Sequence, residues 1–220
     1  MRRAAWPAAV LFLAALSACT LDSPYVRVRV EMPTVPAVKV DDYREIVVAG
    51  FHVAAPAEGV DLDADLSAFF EAELRARTGA QVARRRIVPE DAARLKEEEF
   101  WKRASGESGK TLFLSGTAVL EEESRKALLE KARRHDEDPF STDKVWDERK
   151  VFTLKTTLML IDGPSGRPVF EKEYKETATY ADVRQPAPFA LFDVMQRLKL
   201  KFFRAAFGGN RIQERYLLYR

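Results

Sequence analysis

Apolar and polar positions alternate along the chain with two different periods. Glu45–Phe51 contains a continuous apolar run, which is typical of a strand that is covered on both faces. Apolar residues then recur at helical spacing over Leu66–Leu74, with Asp63 as the predicted N-cap and Gly79 as the predicted C-terminal stop. This pattern predicts a buried strand followed by a helix that packs one apolar stripe against a sheet.

The rest of the chain repeats this alternation of strands and helices. A second helix is predicted over Glu90–Arg103, directly after Pro89. The turn Asp162–Gly166 joins two strands as an antiparallel hairpin, and a last helix over Phe189–Phe207 ends at Gly208-Gly209. Further strands are predicted at 81–87, 111–120, 151–161, 169–180 and 215–219.

Together these elements predict an α/β (α+β) sandwich. Its mixed sheet has about five to six strands and is packed by two to three helices, in the order β-α-β-α-β-β-β-α-β. Residues 44–220 are predicted to form this single domain, because 220 residues lie just above the usual size of one domain.

One segment of the predicted domain, residues 121–150, departs from the pattern. Eighteen of its 30 residues are Asp, Glu, Lys or Arg, and Leu128-Leu129 is its only strong apolar pair. Because dense charge of both signs is typical of a solvated surface, we expect a charged excursion that protrudes between two strands as a short helix plus a loop.

The amino terminus predicts export. Arg2 and Arg3 precede an apolar stretch from Ala4 to Leu16, which is shorter than the roughly 20 apolar residues that span a bilayer. Residues 1–18 are therefore predicted to be a signal peptide. Residues 19–43, which contain several prolines, are predicted to be an extended tether, with an edge strand as the alternative for part of it.

The end of the predicted signal peptide, Leu16-Ser17-Ala18-Cys19, resembles the bacterial lipobox. The resemblance implies cleavage between Ala18 and Cys19, a diacylglycerol on the sulfur of Cys19, and a further acyl chain such as palmitate on its amino group. Two or three acyl chains anchor a protein stably where one is marginal. Thr20, rather than Asp, follows the cysteine, and by analogy with enteric lipoproteins this implies the outer membrane, facing the periplasm.

Composition excludes several classes of protein. The chain has 36 Lys+Arg and 34 Asp+Glu, and loss of Arg2 and Arg3 with the signal peptide leaves 34 of each. A chain without net charge has no bulk electrostatic attraction for nucleic acid, so no nucleic-acid partner is expected. Cys19 is the only cysteine, so no internal disulfide can form, and the two histidines, His52 and His135, disfavour a multi-histidine metal site.

Three groups of residues resemble a periplasmic α/β module. They are Ile46–Phe51 with the helix Leu66–Arg77 and the strand at Gln81-Val82; Leu114–Ala118; and Leu158–Asp162 with Ser165–Phe170. The module is that of the amino-terminal domain of the Tol-system propeller protein, the curli-secretion channel lipoproteins and the lipoprotein activators of peptidoglycan synthases. The resemblance covers residues 45–207 and implies the fold above and work in an envelope complex.

The segment with Gly106, Gly109, Lys110 and Thr111 looks like a phosphate-binding loop. However, Ala104 stands where the first glycine of that motif belongs. The segment also leaves a predicted helix and enters a predicted strand, whereas a phosphate loop leads from a strand into a helix. We interpret it as a Gly/Ser turn and expect no nucleotide site.

No other motif predicts catalysis or a cofactor. Neither histidine lies in a nucleophile elbow or a zinc-binding pair. None of the carboxylate runs has the spacing of a calcium loop; these runs are Glu97–Glu99, Glu121–Glu123 and Asp136–Asp138. We therefore expect a non-enzymatic protein without a metal or cofactor.

Two tryptophans on charged segments are the candidate partner-binding residues. Trp146 lies in the charged excursion together with Phe140, and Trp101 lies on the predicted second helix. Exposed tryptophan is enriched among binding anchors, although Trp101 has the alternative role of closing its helix onto the core.

The favoured function is a lipid-anchored envelope binding or assembly module. It would be held to the membrane through acylated Cys19 and would dock on a secretion, Tol-like or cell-wall complex. The alternatives are a periplasmic hydrolase and a lipid or peptide carrier whose site is not visible in the sequence. Self-association into a homo-oligomer is left open.

Overall fold

The structure of the protein is a computed structural model that describes residues 25–106, 110–130 and 144–218. The chain divides into two units. Residues 34–209 form the larger unit, and the described residues on either side of it form the smaller one.

The smaller unit contains a two-stranded sheet. Strand β1, Tyr25–Thr34, pairs with strand β7, Gly209–Leu218. Arg27 and Arg29 of β1 both form ion pairs with Glu214 of β7. Residues 25–34 of the predicted tether therefore form a strand, and the last strand of the predicted order pairs with it rather than with the main sheet.

The larger unit contains a five-stranded mixed sheet in the order β3-β2-β4-β5-β6. β2 runs parallel to β3 and β4, and the β4-β5 and β5-β6 pairs are antiparallel. The strands are β2 (Glu45–Val53), β3 (Gln81–Arg84), β4 (Thr111–Glu130), β5 (Lys144–Asp162) and β6 (Pro168–Tyr180). The helices are α1 (Leu62–Arg77), α2 (Glu98–Ser105) and α3 (Ala187–Phe207), with 3₁₀ turns at Val40–Asp42 and Ala92–Lys96.

This architecture confirms the predicted α/β (α+β) class. From β2 onward the elements follow the predicted order β-α-β-α-β-β-β-α-β. The main sheet has five strands and is packed by three helices, and both numbers lie within the predicted ranges.

Helices α1 and α3 cover one face of the sheet with the larger of two apolar clusters. Phe70 of α1 lies fully buried at its centre, with its ring 5.9 Å from that of Phe51 and 5.3 Å from that of Phe202, between centroids. Perpendicular and tilted ring contacts of this kind add to the stabilisation from burying aromatic surface. This cluster therefore holds both helices on the sheet.

Helix α2 covers the opposite face. The smaller cluster there includes Val47, Leu95, Trp101 and Phe113. The ring of Trp101 lies 5.3 Å from that of Phe113, and its indole N–H donates to the backbone oxygen of Leu95 at 2.8 Å. The sheet is thus buried on both faces over this region, as the apolar run in β2 predicts.

The start of α1 differs from its prediction. Asp61, not Asp63, is the N-cap, and its side chain accepts from the backbone N–H of Ala64 at 3.1 Å. The carboxylate of Asp63 instead accepts from the backbone N–H of Phe51 at 2.7 Å. The register of β2 against β4 shifts at this point, next to Gly50 with φ of +102°, so Asp63 satisfies a donor at an irregular position of the strand.

Three other boundaries also differ. α1 ends at Arg77, and its C-cap is Thr78, whose hydroxyl donates to the backbone oxygen of Leu74, rather than Gly79. The predicted helix over Glu90–Arg103 is divided into a 3₁₀ turn and α2. The predicted short helix in 121–150 is wrong for residues 121–130 and 144–150, which extend β4 and β5.

We predict that Asp63→Ala lowers the free energy of unfolding by about 1–3 kcal/mol, because it leaves the N–H of Phe51 without its acceptor in a half-buried position. Urea unfolding followed by circular dichroism measures the change. Asp65→Ala, an exposed position on the same helix turn, is the control and is expected to stay within about 0.5 kcal/mol of the unaltered protein. Equal effects of the two changes would contradict the role given to Asp63.

Candidate partner-binding surface

The hairpin extension consists of residues 121–130 of β4 and 144–150 of β5. Its register runs from Ser124 opposite Lys150 to Glu130 opposite Lys144. Opposite charges also face each other at Lys126 and Glu148. Such cross-strand pairs favour the ladder, whereas Arg125 opposite Arg149 is a like-charge pair that opposes it.

Trp146 is a large apolar side chain on the hairpin extension that lies exposed, with 69% of its surface accessible. It lies opposite Leu128 in the register and lines a shallow groove with Lys126, Asp147 and Glu148. An exposed aromatic ring with a charged surround has the composition of a binding anchor with its polar rim. The structure thus places Trp146 at a surface where a partner could contact it.

The carboxylates of the hairpin extension are used in local ion pairs. Glu122 pairs with Lys150 at 2.8 Å, and Glu123 pairs with Arg125 at 2.6 Å. Within residues 25–106, 110–130 and 144–218, no group of three or more His, Cys, Asp or Glu side chains could hold a metal ion. The Glu121–Glu123 run therefore lies on a surface of mixed charge rather than in a ligand cluster.

The other two candidate anchors do not share this surface. Trp101 is fully buried against the sheet, so it offers no area to a partner and has the alternative role of closing α2 onto the core. Sequence alone could not separate the two tryptophans, because both stand among charged residues. Phe140, like His135, lies outside the described residues.

The segment that looks like a phosphate loop connects α2 to β4. Gly106 follows the end of α2 at Ser105, and Lys110 precedes the start of β4 at Thr111, whereas Gly109 lies outside the described residues. Thr111 is buried, and its backbone oxygen accepts from the N–H of Gly163. The chain therefore leaves a helix and enters a strand, the reverse of the order that points helix-terminal N–H groups at a phosphate.

A cleft at the end of β2 brings together polar groups that sequence analysis did not connect. It is lined by His52, Asp61, Asp63, Arg86 and Glu90 among others. Asp63 is already engaged there, by the N–H of Phe51 and by Arg86 at 3.1 Å. A carboxylate held in this way satisfies a backbone donor of the strand and the charge of Arg86.

The clearest pKa shifts belong to tyrosines of the larger unit. Burial raises the pKa of Tyr174 to about 12, and burial together with nearby Asp162 raises the pKa of Tyr43 to about 12. Both shifts favour the neutral phenol, which suits structural side chains rather than a catalytic acid or base near neutral pH.

A second apolar surface lies on the outer side of α3. Phe189, Phe192 and Leu200 are each more than half exposed. Phe192 has the helical spacing of a residue that widens the apolar stripe of this helix, whereas the structure turns it to solvent. Because it lies on α3 and not on the hairpin extension, Phe192 serves as a control position.

No protein-family model matches the chain, and no curated protein matches its sequence. In the described ranges, no helix combines the length and the apolar character that crossing a membrane requires.

The solved structures to which the chain is similar share little of its sequence. The hypothetical protein CT253 from Chlamydia trachomatis has 8% identity and a TM-score of 0.47, over 74% of this chain and 98% of that one. Lipoprotein GNA1162 from Neisseria meningitidis has 13% identity and a TM-score of 0.40, over 72% and 97%. The PelC dodecamer from Paraburkholderia phytofirmans has 18% identity and a TM-score of 0.36, over 79% and 94%. Similarity at this level assigns no function to the chain.

We predict that the two tryptophans of the chain without residues 1–18 differ in both stability and accessibility. Trp101→Ala is expected to lower the free energy of unfolding by about 3–5 kcal/mol, because it empties a buried site, and Trp146→Ala by no more than about 0.5 kcal/mol. Urea unfolding gives these values. Acrylamide is expected to quench the fluorescence of Trp146 in a Trp101→Phe variant and to leave that of Trp101 in a Trp146→Phe variant largely unquenched. Strong quenching of Trp101 would contradict its burial.

Proposed function

We propose that the protein is a lipid-anchored module of the bacterial envelope that docks on a partner protein through the hairpin extension. The observation that carries the proposal is the exposure of Trp146 on a paired, protruding part of β4 and β5. The role is one of binding and assembly, without catalysis.

The anchor in this proposal is Cys19. The lipobox-like Leu16–Cys19 places the chain's only thiol at the predicted cleavage site, where a bacterial lipoprotein carries its diacylglycerol. Several acyl chains on one residue hold a protein stably at a membrane. Thr20 supports the outer membrane as the final location, with the folded units facing the periplasm.

The hairpin extension suits protein recognition for two physical reasons. Burial of an exposed tryptophan ring contributes apolar area that few other side chains supply. The surrounding charges, such as Lys126 and Glu148, alternate in sign, so they favour a partner with the complementary pattern over others.

The polar side chains elsewhere in the larger unit give little support to a hydrolase. Asp63, the most engaged carboxylate of the cleft at β2, is held by a backbone donor and by Arg86. Thr111 of the phosphate-loop-like segment is buried. A carrier would need a large apolar cavity, and the cleft at β2 is instead lined by several charged side chains.

We predict that Trp146→Ala weakens partner binding by about thirtyfold or more, because loss of a central aromatic anchor costs at least about 2 kcal/mol. In-cell crosslinking of the lipidated protein, followed by purification and mass spectrometry, identifies the partner, and titration with the purified partner gives the affinity. Phe192→Ala, which removes a comparably exposed ring from α3, is the matched control and is expected to leave binding unchanged. Unchanged binding by Trp146→Ala would place recognition on another surface.

We predict that Cys19→Ala abolishes incorporation of labelled palmitate and leaves an uncleaved precursor, because it removes the acceptor thiol. Metabolic labelling and electrophoretic mobility measure both effects. Thr20→Asp is expected to keep the label but to move the protein to the inner-membrane fraction of a density gradient. Labelling of the Cys19→Ala protein would contradict the anchor.

A further inference from the structure

Strand β6 forms one edge of the main sheet over 13 residues. It pairs with β5 on one side, and no strand of the described ranges pairs with it on the other. An edge strand presents unpaired backbone N–H and C=O groups, to which a further strand can add. The backbone oxygen of Thr177 accepts from Arg197 of α3 at 2.9 Å, so a second strand would pair mainly with the residues of the edge before Thr177.

Three charges on β6 lack the ion pairs that their neighbours have. Glu171 pairs with Lys96 at 2.8 Å, and Glu176 pairs with Lys201 at 2.5 Å. Lys172, Glu173 and Lys175 lie between them, all exposed, and none has an ion-pair partner within the part of the chain that the structure describes.

The position of Lys175 is unfavourable in the single chain. It lies directly opposite Lys155 of β5, and like charges facing each other across a ladder are destabilising. Glu121 compensates Lys155 at 2.5 Å and leaves Lys175 uncompensated. A carboxylate supplied from the open side of β6 would remove the imbalance.

We propose that β6 pairs with β6 of a second copy of this chain, antiparallel and centred on Tyr174. A two-fold axis through this position places each Glu173 opposite Lys175 of the other copy. The same register places Lys172 opposite Glu176, which is buried and already paired with Lys201 of its own chain. Two exposed cross-strand pairs of opposite charge, each Glu173 with Lys175, then line the junction, and the two main sheets continue as one.

The charges select this register from its neighbours. Directly opposite residues of an antiparallel pair have side chains on the same face of the sheet, so the axis must pass through a residue and not between two. Centring on Glu173 or on Lys175 places that charge against itself. Centring on Lys172 does the same and also sets Glu171 against Glu173. Among the positions from 171 to 176, only Tyr174 gives opposite charges without such a conflict.

This pairing is independent of the docking proposed for the hairpin extension. It uses the open edge of β6, whereas Trp146 lies beyond the last residue pair of β5 with β6, Lys150 with Tyr180. Loss of one interaction therefore leaves the other measurable.

Copurification of two differently tagged full-length copies, coexpressed and extracted from membranes in detergent, tests the proposal. Unaltered copies are expected to copurify. Glu173→Lys with itself, or Lys175→Glu with itself, is expected to copurify at least about tenfold less, because each change turns two attractive pairs into two repulsive ones. Glu173→Lys coexpressed with Lys175→Glu is expected to copurify again, because every facing pair is then opposite in charge.

The double variant Glu173→Lys/Lys175→Glu is the matched control, because it exchanges the charges without changing their number, and it is expected to copurify with itself. Equal membrane levels of all variants establish that they fold. No copurification of the unaltered copies overturns the proposal, as does insensitivity to the single reversals. Failure of the mixed pair to restore association also overturns it, since that result would assign the losses to another surface.

Discussion

The fold depends on the burial of β2 on both of its faces. Ile46 and Val48 point to one apolar cluster and Val47 and Ala49 to the other, and all four are fully buried. Because side chains alternate along a strand, this burial requires a helical layer on each side of the sheet. Helices α1 and α3 pack on one face and form the larger cluster with the sheet. Helix α2 and the 3₁₀ turn before it pack on the opposite face.

The same constraint explains where the hairpin extension begins. β4 is buried as far as Leu120 and continues with charged residues, whereas β5 stays buried to Val151, which lies opposite Glu123. Beyond that point the ladder is held by backbone hydrogen bonds and cross-strand ion pairs instead of a core. A two-stranded ribbon is marginal by itself, so the extension depends on the main sheet from which it grows. Because the side chains of the extension form no core, they are available for contacts outside the sheet.

The sequence predicted the elements that burial dictates and missed those that depend on distant partners. The apolar runs of β2, β4 and β5 identify the sheet, because burial leaves its period in the sequence. The extension was predicted as helix and loop because both of its faces are charged and its stabilising pairs, such as Lys126 with Glu148, lie far apart in the chain. For the same reason Asp63 was assigned to the cap: its bond to the N–H of Phe51 exists only once α1 lies against β2.

The candidate surface was predictable only in part. Trp146 and Trp101 have similar charged neighbours, and what separates them is the ring of Phe113 and the carbonyl of Leu95, which the fold brings to Trp101 alone. The open edge of β6 was not predictable from the pattern either. Which charges of a strand have an ion-pair partner is known only once its neighbouring elements are known. Lys175 became informative once Lys155 was found opposite it.

A membrane anchor changes the strength that each proposed contact needs. Exposed ion pairs such as Glu173 with Lys175 contribute little individually, and salt screens them. Copies tethered to one membrane meet at a much higher effective concentration than free copies do, so a weak ladder between β6 strands suffices to hold them together. Docking through Trp146 has no such requirement, because its contribution comes from buried apolar area and is far less sensitive to salt. In the proposed assembly, the lipid anchor would supply confinement, the β6 edge would supply the charge register, and Trp146 would supply apolar burial.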